Sequence, residues 1–285
     1  MSVLLGIAER LLTASHRPES LRRRSSGLTR LVNAVDARIR TLEAQGQVFP
    51  QIQSFDGTKL ISCVRQSPAL WSSATLVPCE TPGMLSSEEC QYYTYIGQFF
   101  SGIGEVVELG PWLGRSTFYI VQGLSKNPRF AGKKISVYDD FVWRSTWMDS
   151  QVSESERVQH HGDFEFLFKK YTRGIEDSIN AYKRKIITYD GNGSVEQLVW
   201  DARPIEIMYV DCGRTMEANE AWWVLFSNCF IPEKTLVILQ DWSTHREVPV
   251  QWYNQMKEWV ESKGRSLQLM HELERGDIAT FLYKG

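Results

Sequence analysis

The chain has no C-x-x-C pair. Its five cysteines, Cys63, Cys79, Cys90, Cys212 and Cys229, are odd in number and widely spaced, so neither a disulfide framework nor a zinc site is indicated and a reducing cytoplasm fits best. An excess of one charge is missing too. The formal net charge is -2 over 285 residues, and nothing in that balance asks for nucleic acid. No apolar run approaches the length of a bilayer span, so no integral membrane segment is expected. The first apolar run, residues 3–8, is broken by Glu9 and Arg10 and follows no basic stretch, which argues against a cleaved signal peptide. Also absent is a G-x-G after the strongest strand signal, the loop that a pyrophosphate-bearing ligand needs.

What remains reads as an ordinary globular chain, 42% hydrophobic, long enough for one large α/β domain with an appendage. Residues 1–47 form that appendage, a helical arm. Leu28, Val32, Val35, Ile39 and Leu42 share one helical stripe, which suits either pairing with a second copy as a homo-oligomer or packing on the chain's own domain. Arg22, Arg23 and Arg24 form a basic knot whose simplest reading is a solvated face. From residue 48 onward a Rossmann-like domain is expected. Residues 86–102 read as a helix with Ser86 or Ser87 as N-cap, Glu88 and Glu89 in the first turn, and Tyr92, Tyr95, Ile96 and Phe99 on one face.

The organising stretch follows at once. Val106, Val107 and Leu109 are a buried strand, Glu108 is an acid at its end, Gly110-Pro-Trp-Leu-Gly114 is a turn, and a helix begins near Ser116. Further strands are expected at 134–139, 185–189, 205–210 and 235–239, alternating with helices at 115–126, 163–182, 194–200, 216–229 and 248–263. Strands at 267–273 and 278–283 close the chain. The fold class is therefore α/β, a doubly wound, mostly parallel seven-stranded sheet with an antiparallel end. A polar insertion at about 144–162, with Trp147, His160 and His161, is long enough to be a substrate lid. The ten tryptophans are many for this length, and Trp112, Trp143, Trp147 and Trp242 sit near turns where they are either core or pocket wall.

Ligands of open α/β sheets bind at the carboxyl ends of the strands. The polar residues there are Glu108, Asp139 with Asp140, Asp190, Asp211, and Gln240 with Asp241. A carboxylate closing the second strand offers two acceptor oxygens to the two hydroxyls of a ribose. Asp139 fits that role better than Asp140, which is placed to begin the turn; the alternative, that both cap the turn, stays open. Asp211, Gln240 and Asp241 end adjacent strands and would suit an octahedral cation such as Mg2+, or each would cap a turn.

Five segments occur in the order seen in one family: Gly83-Met-Leu-Ser-Ser-Glu88, Val107-Glu-Leu-Gly-Pro-Trp-Leu-Gly-Arg-Ser-Thr117, Val137-Tyr-Asp-Asp-Phe141, Tyr209-Val-Asp-Cys-Gly-Arg-Thr-Met-Glu-Ala218 and Val237-Ile-Leu-Gln-Asp-Trp242. Over residues 83–245 the chain resembles class I S-adenosylmethionine-dependent methyltransferases, in particular the small-molecule O-methyltransferase branch that includes macrocin-type enzymes. The resemblance implies a cofactor site of Glu108, Gly110, Gly114, Ser116, Asp139 and Asp190, and carboxylates Asp211 and Asp241 in the place of metal ligands. It implies transfer of a methyl group to an oxygen of a small-molecule acceptor such as a sugar, with His245 or Asp211 as catalytic groups and His160 and His161 in reserve. Where the family often has Asp-Gly-Asp-His, this chain has Asp211-Cys-Gly-Arg214, and where it commonly has His-Asp, this chain has Gln240-Asp241. Two rival readings are a non-catalytic cofactor-binding or scaffolding protein of the same fold, and a nucleotide-dependent enzyme, which the missing phosphate loop disfavours.

Overall fold

The computed structural model describes residues 69–72, 74–185, 200–243, 251–273 and 276–285. The N-terminal arm, Asp190, His245 and most of the helix expected at 194–200 lie outside the described residues.

A short helix α1 (Ala69–Ser72) precedes α2 (Ser87–Gly97). Ser86 caps α2 as expected: its Oγ accepts the Glu89 N–H at 3.2 Å while Glu89 Oε2 accepts the Ser86 N–H at 2.6 Å, a reciprocal capping box. Then follow β1 (Glu105–Leu109), α3 (Arg115–Ser125), β2 (Ile135–Asp139), α4 (Ser145–Met148), α5 (Glu165–Tyr171) and β3 (Ile179–Lys183). The second half holds β4 (Ile205–Val210), α6 (Met216–Phe226), β5 (Leu236–Gln240), α7 (Gln251–Ser262), β6 (Leu267–Glu272) and β7 (Ile278–Tyr283).

The seven strands pair in the order β3-β2-β1-β4-β5-β7-β6. All neighbours are parallel except β7, which runs antiparallel to both β5 and β6. Strands β1, β2, β4 and β5 are buried at nearly every position because both sheet faces are covered. Alternate residues feed two cores. Val106, Val137, Ile207 and Ile238 pack with Tyr92, Ile96, Ile120 and Leu124 of α2 and α3, whereas Val107, Leu109, Met208 and Leu239 pack with Trp222, Phe226 and Trp259 of α6 and α7. The chain leaves β1 toward β2 on one side and returns to β4 on the other. That reversal leaves a crevice at the carboxyl ends of β1 and β4.

Two elements depart from expectation. The helix predicted over 163–182 ends at Tyr171, and β3 lies at Ile179–Lys183, ahead of the predicted 185–189. Only Ile179 of β3 is buried, since β3 is a sheet edge, so its sequence carries no strong apolar signal. Lys185 is described and the remainder of the predicted strand lies outside the described residues.

Candidate active site

The crevice opens into a cavity of about 1200 Å³, more than the roughly 300–1000 Å³ of an ordinary ligand site, so it has room for a cofactor together with an acceptor. Its floor is made by the residues that end β1, β2, β4 and β5, namely Gly110, Asp139, Asp211 and Gln240 with Asp241. Met84, Leu85, Trp112 and Trp147 supply apolar wall.

On the β1–β2 side, Gly110 stands at φ +81°, and a Cβ there would lie 2.7 Å from the Asp211 carbonyl oxygen. Only glycine fits this turn, which brings bare backbone to the cavity. Trp112 follows at φ +47°. Its N–H donates to Asp139 Oδ2 at 3.3 Å, and its ring packs on Trp147 with centroids 5.1 Å apart. The indole Nε1–H is buried with no acceptor among the described residues. Asp139 Oδ1 accepts the Phe141 N–H at 2.7 Å. Each Asp139 oxygen thus takes one backbone donor and, having two lone pairs, keeps room for another. Burial pushes the Asp139 carboxyl up to about 7, the two N–H groups opposing and the Asp140 charge adding to the rise. Asp140 is instead paired with Arg144 at 2.5 Å.

Glu108 and Gly114, both expected to border the cofactor, do not line the cavity. Glu108 lies beneath it, 2% exposed, accepting the Ser116 and Thr117 hydroxyls at 2.5 and 2.6 Å. Burial pushes its carboxyl up to about 7 against those two hydrogen bonds. It therefore holds the start of α3 against β1, and Ser116 reaches the cavity wall from that pinned turn. Gly114, at φ +93°, is the N-cap of α3 and packs on Thr172 and Phe168.

The β4–β5 side is built differently. Gln240 is buried, with its amide oxygen accepting the Tyr93 hydroxyl at 2.7 Å and its amide nitrogen donating to Glu89 Oε1 at 2.7 Å. Glu89 Oε1 also accepts the Asp277 N–H at 2.9 Å, tying α2 to the turn before β7. Asp241, at φ +58°, is gripped by Arg214, whose Nε and Nη2 both bind Asp241 Oδ2. Asp211 lines the cavity with no hydrogen bond to its carboxylate among the described residues. Burial pushes that carboxyl up to about 8, opposed by the Arg214 charge and assisted by Glu108, Glu89 and Asp139.

The structure thus brings Gly110, Ser116, Asp139, Asp211, Gln240 and Asp241 to one cavity. The donor set drawn for a divalent cation does not fit one. The Gln240 amide oxygen already accepts from Tyr93, Asp241 Oδ2 is held by the Arg214 guanidinium, whose positive charge opposes a cation beside it, and among the described residues no group of three or more His, Cys, Asp or Glu side chains could hold a metal ion. His160 is exposed beside Ser145, and neither it nor His161 lines the cavity. Of the four tryptophans at turns, Trp112 and Trp147 line the wall while Trp143 and Trp242 are core. The insertion is anchored at its base by the Trp143 indole on Asp149 at 2.7 Å and a bridge between Val142 and Asp163.

Sequence reasoning passed over Glu89 and Arg214, which line the cavity, and Tyr93, which bonds Gln240. Glu89 was visible as a first-turn acid of the helix and Tyr93 lies one helical turn beyond it, but no local pattern shows that both reach Gln240.

No known family matches the chain, and no curated protein matches it. Among solved structures it is similar to the O-methyltransferase NovP (12% identity, 80% of this chain and 96% of that chain, TM-score 0.48). It is also similar to the SAH-bound methyltransferase PaMTH1 from Podospora anserina (10% identity, 80% and 88%, TM-score 0.44) and to the calicheamicin methyltransferase CalS11 (12% identity, 95% and 95%, TM-score 0.40). At these levels the functional reading rests on the residues of this chain. Its doubly wound sheet with an antiparallel end, joined to the motif order above, resembles in fold the class I S-adenosylmethionine-dependent methyltransferases.

Proposed function

We propose that the cavity binds S-adenosylmethionine and that the protein methylates an oxygen of a hydroxylated small molecule such as a sugar or natural product. The carrying observation is the β1–β2 end of the cavity. A bare-backbone turn at Gly110 and a carboxylate at Asp139 with spare acceptor capacity suit a nucleoside, and the absence of a glycine-rich phosphate cradle suits one without a pyrophosphate. Gly110, Ser116 and Asp139 form the cofactor side, with Glu108 and Gly114 acting from beneath by fixing the turn. Asp190 belongs to this proposal by its place in the sequence.

When bound, S-adenosylmethionine supplies an electrophilic methyl group on a positively charged sulfur. This chain's part is to hold the acceptor oxygen in line with that methyl, an alignment worth about 7–11 kcal/mol. Gly110, Ser116 and Asp139 would hold the cofactor, and transfer of its methyl group to the acceptor oxygen would leave the carbon–sulfur electron pair on the sulfur. Asp211 is placed to accept the hydroxyl proton, its affinity for that proton raised by burial among other carboxylates. His245 is the alternative base by sequence position. The insertion carrying Trp147 serves as the lid over the acceptor.

The test is transfer of a labelled methyl group from S-adenosylmethionine to a panel of sugars and phenols, with and without a chelator. Product formation supports the proposal. A second reading, a cofactor-binding protein without catalysis, is favoured by the self-paired β4–β5 end and predicts binding with no transfer to any acceptor.

A further inference from the structure

We infer that Arg214 is the resident cation of this cavity, standing in for a divalent metal at Asp211 and Asp241, so that chemistry there proceeds without one. The inference deepens the methyltransferase reading and rests on it only for the identity of the reaction.

Three observations converge. The guanidinium binds Asp241 through two of its three nitrogens, and its side chain, 43% exposed, stands in the cavity wall. A guanidinium does not lose its proton in proteins, so the positive charge is permanent, as a bound metal's would be. Its field also reaches Asp211, where it is the main influence against burial.

Second, the amide that would have completed a metal's oxygen shell is fixed in orientation by bonds at both its oxygen and its nitrogen. Gln240 spans Tyr93 and Glu89, and Glu89 in turn holds the Asp277 and Ser86 N–H groups. Freeing the Gln240 oxygen would leave the buried Tyr93 hydroxyl without its acceptor.

Third, the loop has no room for another acid. Where the resembled family often has the second aspartate of Asp-Gly-Asp-His, this chain has Gly213, and a Cβ there would lie 2.3 Å from Asn219 Oδ1. Asn219 cannot yield. It is fully buried, accepts the Trp222 indole N–H at 2.9 Å, and donates to the Gly213 and Thr215 carbonyls at 2.8 and 3.0 Å. The same loop that excludes a ligand at 213 delivers Arg214 to Asp241.

The experiment is a titration of the full chain with Mn2+, following the electron paramagnetic resonance signal of the free ion, for the wild type, Arg214→Ala and Arg214→Gln. The wild type is expected to leave the signal undiminished into the millimolar range. Either variant, freeing Asp241 beside Asp211, is expected to tighten Mn2+ binding by at least about tenfold, and adding Asp241→Asn is expected to reverse the gain. Micromolar Mn2+ binding by the wild type would overturn the inference, as would unchanged Mn2+ affinity in a variant that keeps the wild-type melting temperature. Calorimetry with S-adenosylmethionine on the same samples separates the two proposals, because absent cofactor binding overturns the methyltransferase reading and leaves the Mn2+ result standing.

Discussion

The two ends of the cavity handle their polar groups in opposite ways. At the β1–β2 end, Asp139 is held by backbone N–H groups of Trp112 and Phe141, so its position is fixed while its remaining lone pairs face the cavity. At the β4–β5 end, side chains satisfy one another: Gln240 with Tyr93 and Glu89, and Asp241 with Arg214. An end fixed by backbone is ready for a ligand of set shape. An end fixed by side chains carries its own charge balance, and a ligand there must compete with or add to existing pairs. This difference is why the proposed cofactor half is the better defined, and why we propose a guanidinium rather than a metal at the β4–β5 end.

The largest expected effect that separates the ends comes from Asp139→Ala. Losing hydrogen bonds to a charged acceptor costs roughly 1.5–3 kcal/mol, so S-adenosylmethionine affinity should fall about 10- to 100-fold by calorimetry. Tyr93→Phe tests the other end. It removes the donor to Gln240 and should lower unfolding stability by about 1 kcal/mol in a denaturant titration, with cofactor affinity unchanged within about twofold. Equal effects of both substitutions on cofactor affinity would erase the distinction.

The pH dependence is a smaller lever on the same contrast. Glu108 and Asp139 are pushed up to about 7 and Asp211 to about 8, above the range of about 4 for carboxyls in an unfolded chain. Raised folded values mean that the unfolded state gives up these protons first as pH rises. Their contribution is therefore full below about pH 4 and is lost as pH passes through 7 to 8. The melting temperature of the ligand-free protein should be lower at pH 8.5 than at pH 5.5. Cofactor affinity should run the other way, rising over pH 6 to 8 as Asp139 ionises and can accept from the ribose. Calorimetry at three pH values checks this, and a flat profile would remove Asp139 from the ribose.

The features legible in the sequence are those that local chemistry dictates. Ser86 with Glu89 declared the start of α2, and Gly110 after an apolar run declared the turn at β1. The central strands showed as apolar runs because they are buried on both faces. β3 did not, because a sheet edge buries little and the run at Ile179 reads equally as a helix end. The acceptor end was hidden for a different reason. Tyr93 and Gln240 are 147 residues apart, and Arg214 and Asp241 are 27 apart, so no spacing rule links them. Chemically apt residue types at strand ends suggested a cation, and only the side-chain pairing showed that the chain supplies one itself.

The most direct test of the cofactor site is a calorimetric titration of S-adenosylhomocysteine into the wild type and into Asp139→Ala. A single site of micromolar affinity in the wild type, weakened at least about tenfold in the variant, is the predicted result. No heat of binding to the wild type at millimolar ligand, or equal affinity for both proteins, would contradict it.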